Sequence, residues 1–368
     1  MKTHPRQGRS GSGSPATRRR AAGVVAAVIL GAAMTLVNSV PSWAAGATAM
    51  IDLGTLPGDV LSAAQGINND GTVIGASESA SGALHAVRWN SRGAILELPT
   101  VPGDTSSLPN AINDAGTIVG QSGAVPTSPA AVRWDHGTAV TKLAVIPGFP
   151  ASVAFGINNR GVIVGFAVNS ANQAVAVRWN PDGKVALLPP LPGDTFSQAL
   201  GINDDGSIVG DSASALGVGV HAVRWGRDGS PVDLGVLPGD IDSEALLINN
   251  RGTVMGIGVT TNTQFSAVRW NRDGAMIRLQ TPPGYANGEP GGLNNRGAMV
   301  GVVLSGDRQK AAAVSWNPTG SVTAIAVPAG DDYSGASGIN DHGTIAGFAG
   351  PSGGTTHAVE WRMPGSGT

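Results

Sequence analysis

Ala86-Val87-Arg88-Trp89 is the stretch that decides the fold, because the chain writes close copies of it seven times. The copies end on Trp89, Trp134, Trp179, Trp225, Trp270, Trp316 and Trp361, spaced 45 or 46 residues apart. A fixed period in the forties is the mark of a repeat architecture, in which each unit is one supersecondary element. Working outward from Trp89, Asn90-Ser91-Arg92-Gly93 reads as a turn into Ala94-Ile95-Leu96-Glu97-Leu98. Working back, Thr72-Val73-Ile74-Gly75 and Ser62 to Asn68 are two further extended runs. Each unit is therefore four short strands rich in β-branched and aromatic residues, punctuated by turn residues.

The turns carry their own chemistry. A Gly stands three residues after an Asn in every unit, from Asn68/Gly71 to Asn340/Gly343. A type I turn closed by a left-handed residue needs Gly there, and the Asn side chain stabilises its start. A second Gly follows four residues later, at Gly75, Gly120, Gly165, Gly210, Gly256, Gly301 and Gly347. It is expected to make room for a tryptophan, of its own or of the neighbouring unit.

The ends of the chain indicate how the units close. After Trp361 no fourth strand follows, whereas Ala49 to Asp59 precedes the first unit and matches the fourth-strand segment Pro231 to Asp240. No polar capping repeat of the kind an open array needs is present. The expectation is an all-β, seven-bladed β-propeller with four antiparallel strands per blade, its last blade completed by the N-terminal strand.

Residues 1–44 read as a secretory signal peptide and residues 45–368 as the propeller. Six basic residues and no acid precede an apolar run from Ala21 to Val37, and Ser42-Trp43-Ala44 offers a cleavage site. Arg18-Arg19 hints at a twin-arginine signal. Loss of the leader would take the formal charge from −2 to about −8. An acidic chain is a poor binder of nucleic acid, and no later stretch is long enough to span a membrane. Without cysteine there is no disulfide chemistry. The expected product is a secreted, extracellular monomer needing no cofactor or metal.

The pattern Gly66-Ile67-Asn68-x-x-Gly71-x-Val73-x-Gly75, then His85-Ala86-Val87-Arg88-Trp89, together with Asp52-Leu53-Gly54-Thr55-Leu56-Pro57-Gly58, resembles the HAF-repeat family of extracellular repeat proteins. The resemblance covers the whole chain after the leader and implies export and a propeller-like array. The family's His-Ala-Phe stands here as His-Ala-Val at His85, His221 and His357. It implies no particular activity.

What varies between units points to function. On the first strand, four residues before the repeated Ile or Leu, stand Ala63, Leu108, Val153, Gln198, Glu244, Glu289 and Gly335. Gln198, Glu244 and Glu289 form a polar arc on neighbouring units. In the connections between units, Phe149, Tyr285 and Tyr333 stand where others carry Pro-Gly-Asp or its end. These six residues are the expected ligand site, on loops of a rigid scaffold. No Arg, His or Tyr is read on the first strands, which favours a non-catalytic binding or scaffold module for a glycan, a cell-wall polymer or a protein. The alternative is a polysaccharide lyase or glycosidase with Glu244 and Glu289 as its acid and base, at the spacing such pairs use. The three His sit too far apart in the array to share a metal.

Overall fold

In the fourth repeat the strands run Phe196–Ile202, Ile208–Ala215, Val218–Trp225 and Pro231–Asp233, paired antiparallel in that order. The computed structural model describes residues 44–45, 49–123, 129–136, 139–215 and 218–362, all within the unit Ala32–Thr368. The expected leader lies outside the described residues except for Ala44. Ala44–Ala45 adds in parallel to Val322–Ile325, the last strand of the sixth repeat.

The architecture is all-β, built of four-stranded antiparallel units. Five units are separate sheets, and two belong to one nine-stranded sheet. Those two meet through a single parallel pair, Ala311 with Tyr333. In the last of them the sequence order Tyr333–Ile339, Thr344–Gly350, His357–Arg362 is completed by Ala49–Asp52, with Met50 opposite Trp361. No helix among the described residues is long and apolar enough to cross a membrane.

Each first strand carries a β-bulge, as between Ala199 and Gly201. The bulge explains the second Gly of each unit. A Cβ on Gly210 would run into the Gln198 carbonyl of the same unit, and Gly75, Gly120, Gly165, Gly256, Gly301 and Gly347 meet the equivalent carbonyl. The carbonyl is the nearest constraint at all seven. A Cβ on Gly301 or Gly347 would also press on an indole, that of their own unit's Trp316 or Trp361.

The tryptophans pack between units. Trp225 lies fully buried among Val223 and Ile208 of its own repeat and Val164, Ala176 and Leu188 of the one before. Its Nε1 donates to the Pro189 carbonyl at 2.7 Å, and Trp134, Trp179, Trp270 and Trp316 repeat the bond at 2.8–3.1 Å. Burial of such a side chain is worth about 2–3 kcal/mol. A serine adds a second tie between units. Ser197 Oγ accepts from Ala176 N–H at 3.0 Å, and Ser62 Oγ accepts from Ala358 N–H, joining the first repeat to the last. The Arg before Trp adds a third tie in two repeats, while Arg133 forms a surface ion pair with Asp135 at 3.1 Å. Arg178 donates to the Arg227 carbonyl and Arg269 to the Pro318 carbonyl, each in the next repeat's turn.

The Asn turns form as the spacing requires. Gly206 sits at φ 81°, and Asn203 Oδ1 accepts from Ser207 N–H at 3.0 Å. The same Asn reaches onward, its Nδ2 donating to the Asn249 carbonyl at 3.1 Å. This link runs from Asn68 through every repeat, and Asn340 donates to the Asn68 carbonyl at 3.1 Å. The next residue repeats the pattern with backbone donors. Asn69, Asp114, Asn159, Asp204, Asn250, Asn295 and Asp341 each offer N–H to the following side chain, and Asp341 N–H returns to Asn69 Oδ1 at 2.8 Å. The seven turns enclose a cavity of about 210 Å³.

A candidate site at the connection end

Because strands alternate in direction, the inter-repeat connections and the loops between second and third strands share the end opposite the Asn turns. Gln198, Glu244 and Glu289 lie toward that end, on Phe196–Ile202, Asp240–Ile248 and Asn287–Leu293. Their register partners on the second strands are Asp211, Ile257 and Val302. A cross-strand pair stands side by side on one sheet face, so Gln198 and Asp211 form one polar couple. Gln198 is 5% exposed and Asp211 4%. Among the described residues neither side chain has a hydrogen-bond partner.

Burial shapes the electrostatics. It pushes the Asp211 carboxyl well above the usual range, and the charge of Glu244 pushes it further. Glu244 is raised to about 7 by burial and then by Asp242. Glu289 also rises to about 7 through burial, although Arg308 pulls it down. Desolvation disfavours the charged form, and like charges add to it. Two facing carboxyls of this kind titrate as a pair.

Tyr333 opens the first strand of the seventh repeat and is half-buried; burial and then Glu289 raise its phenol, while Arg308 lowers it. Its ring tilts against Phe348 at 6.0 Å. Phe348 also explains Gly335, where a Cβ would press into the Phe348 ring. Arg308 holds its guanidinium 5.1 Å over the Phe265 ring, on a loop where it takes φ 61°. Asn172 and Thr263 take the same φ of 61° in the equivalent loops of other repeats, so this is the turn geometry of the repeat.

The expected site residues are thus brought together in part. Glu289 and Tyr333 share one electrostatic neighbourhood with Arg308, and Glu244 shares another with Asp211 and Asp242. Burial raises the Tyr285 phenol and Asp332 adds to it, while the ring packs beside Met255 and Trp316. Phe149 packs with Ile146 against the third repeat's core around Trp179, not among the carboxylates. The equivalent positions of repeats one to three stay apolar, and Val153 with Phe166 packs onto Phe196. One first strand does carry a Tyr, since Tyr333 opens Tyr333–Ile339, whereas Arg308 reaches the same end from the loop between Met299–Leu304 and Ala311–Trp316. Asp211 and Arg308 were not foreseen. Asp211 hides in a second strand otherwise read as apolar, and its signal was being the one acid at that position.

The three motif histidines are each tied to a carboxylate: His85 to Asp59 at 3.0 Å, His221 to Asp233 at 2.9 Å and His357 to Asp52 at 2.8 Å. Among the described residues no group of three or more His, Cys, Asp or Glu is arranged to hold a metal.

No protein-family profile and no curated protein matches the chain. Solved structures do match. A streptogramin B lyase is similar at 12% identity and TM-score 0.57, over 85% of this chain and 98% of its own. An oligogalacturonate lyase in complex with manganese is similar at 12% and 0.54, over 80% and 86%. A puromycin-hydrolyzing peptidase of Mycobacterium tuberculosis is similar at 15% and 0.56, over 84% of this chain and 52% of the peptidase. At these identities the likeness establishes the architecture, an all-β propeller-like fold. It also corrects the expectation that the protein is not an enzyme, since the architecture it shares is that of two lyases and a peptidase.

Proposed function

We propose that the protein is a secreted, monomeric, seven-bladed β-propeller of the HAF-repeat type, closed by its N-terminal strand, and that it is an enzyme of extracellular polysaccharide. Its chemistry is that of a glycosidase or lyase, with Glu244 and Glu289 as the proton-transfer groups. The pairing of Ala49–Asp52 with His357–Arg362 and the Asn links returning to Asn68 support a closed ring. One observation carries the catalytic reading. Glu244 and Glu289 stand at the same position of neighbouring first strands, and burial pushes both carboxyls up to about 7, the range in which a carboxyl serves as acid or base at neutral pH.

Either reaction needs one proton donor and one acceptor. In hydrolysis a carboxylic acid protonates the departing glycosidic oxygen while a carboxylate activates water or attacks the sugar. In elimination the base removes a carbon-bound proton, the electron pair forms a double bond, and the leaving oxygen takes a proton from the acid. Glu289 suits the donor, with Tyr333 and Arg308 beside it. The test is cleavage of a polysaccharide panel, followed by reducing-sugar release and by the ultraviolet absorbance of an unsaturated product. Glu289→Gln and Glu244→Gln should each lower turnover at least 100-fold. Equal turnover in wild type and both variants would end the reading.

A further inference from the structure

The pair Gln198 and Asp211 is not needed for proton transfer, yet it is built where charge is costly. Asp211 is a carboxyl 4% exposed, with no hydrogen-bond partner and with Glu244 as the charge acting on it. Burial and the Glu244 charge favour its neutral form, and a cation bound beside it is what would stabilise the carboxylate. Asp211 and Gln198 share one sheet face as a register pair, and Glu244 stands at the Gln198 position of the neighbouring first strand, so the three supply acceptor oxygens from adjacent strands. A primary ammonium carries three N–H donors and one positive charge, which match that set. A metal fits less well, because no group of three or more ligating side chains is arranged for one among the described residues.

The wider surface has the same sign. Acids crowd the connection end, among them Asp104, Asp194, Asp242, Asp331 and Asp332. The basic residues cluster at the opposite end, near the Asn turns, as with Arg160, Arg227, Arg251, Arg272 and Arg296. Of the cations at the connection end, Arg278 is neutralised by Asp240 at 2.7 Å, which leaves Arg308, Lys310 and Lys142. A surface of one sign concentrates ligands of the other and raises their on-rate.

We propose that Asp211, with Gln198 and Glu244, forms a subsite for a protonated amine, so that the polysaccharide taken at this end is an amino-sugar polymer with free amino groups. This rests on the connection end being the active site. It also selects hydrolysis over elimination, because elimination needs a carboxylate on the sugar to acidify the carbon-bound proton, and an acidic mouth repels that carboxylate.

The experiment titrates the protein calorimetrically with glucosamine oligomers, the same oligomers N-acetylated, and galacturonate oligomers. The amine form should bind at least tenfold tighter than the acetylated form, with galacturonate weakest. Asp211→Asn should weaken the amine form at least tenfold and leave the acetylated form unchanged, and Gln198→Ala should weaken it severalfold. Without ligand, Asp211→Asn should melt no lower than wild type, which separates lost recognition from lost folding. Equal affinity for all three oligomers, or an amine affinity untouched by Asp211→Asn, overturns the subsite. Tight amine binding without cleavage refutes the enzyme and leaves the subsite standing. Cleavage of a uronate or neutral polymer with no amine preference does the reverse.

Discussion

Glu289 shows how one buried carboxyl couples stability to pH. Its pKa is about 7 in the fold against 4.5 free. A group raised in this way favours the fold while protonated. Its contribution is complete below about pH 4.5 and is lost as pH rises through about 7. The span corresponds to about 3 kcal/mol at most, at 1.36 kcal/mol per unit. Denaturant unfolding of wild type should therefore give lower stability at pH 8 than at pH 5.5, and Glu289→Gln should flatten that difference. An identical pH dependence in the variant would show that Glu289 is solvated. Turnover has the same sign, because a donor must be protonated, so the rate should fall above about pH 7 in wild type. The position of Glu289 on a first strand was legible from the repeat alignment. Its environment was not, because Arg308 lies on a different strand–loop segment and Tyr333 in a different repeat.

At the level of the strand and turn, the period of the sequence was enough to place nearly every element. Turn chemistry is local, so Asn203 with Gly206 could be read directly, and the structure puts that glycine at φ 81°. The second glycine was read only in part, because the carbonyl that most constrains it lies across a bulge on the neighbouring strand. Gly210→Ala should cost about 2–3 kcal/mol by forcing the first and second strands apart, measured by urea denaturation. Trp225→Phe should cost about 1–3 kcal/mol, through lost volume and an orphaned Pro189 carbonyl. Trp361→Phe should cost less, because its buried Nε1 has no hydrogen-bond partner. A larger loss at Trp361 than at Trp225 would mean that the indole N–H bond contributes nothing.

For the molecule as a whole, the first strand and the last are one structural unit. Four register pairs join Ala49–Asp52 to His357–Arg362, and the His357–Asp52 contact at 2.8 Å lies among them. Deleting residues 49–53 should expose the edge of His357–Arg362, lower the melting temperature by several degrees and promote association. A melting curve unchanged by the deletion would show that the seam is not what holds the ends. The pairing of Ala49–Asp52 with His357–Arg362 was legible because an orphan segment before the first repeat and the strand type absent after Trp361 were alike in sequence. The division of charge between the two ends was not legible, since it appears only when strand direction assigns each loop to an end.

The circuit of side chains at the Asn turns has a consequence rooted in parity. Asn69, Asp114, Asn159, Asp204, Asn250, Asn295 and Asp341 come close to strict alternation of amide and carboxylate, and each carboxylate accepts from amide nitrogens on its neighbours. An odd number of members cannot alternate all the way round, so one like pair is unavoidable. Here it falls on Asn250 and Asn295, whose amides point outward to Asp204 and Asp341, and no two carboxylates are adjacent. The second residue of each turn therefore records how many repeats there are, and a version with one repeat added or removed could alternate without a defect.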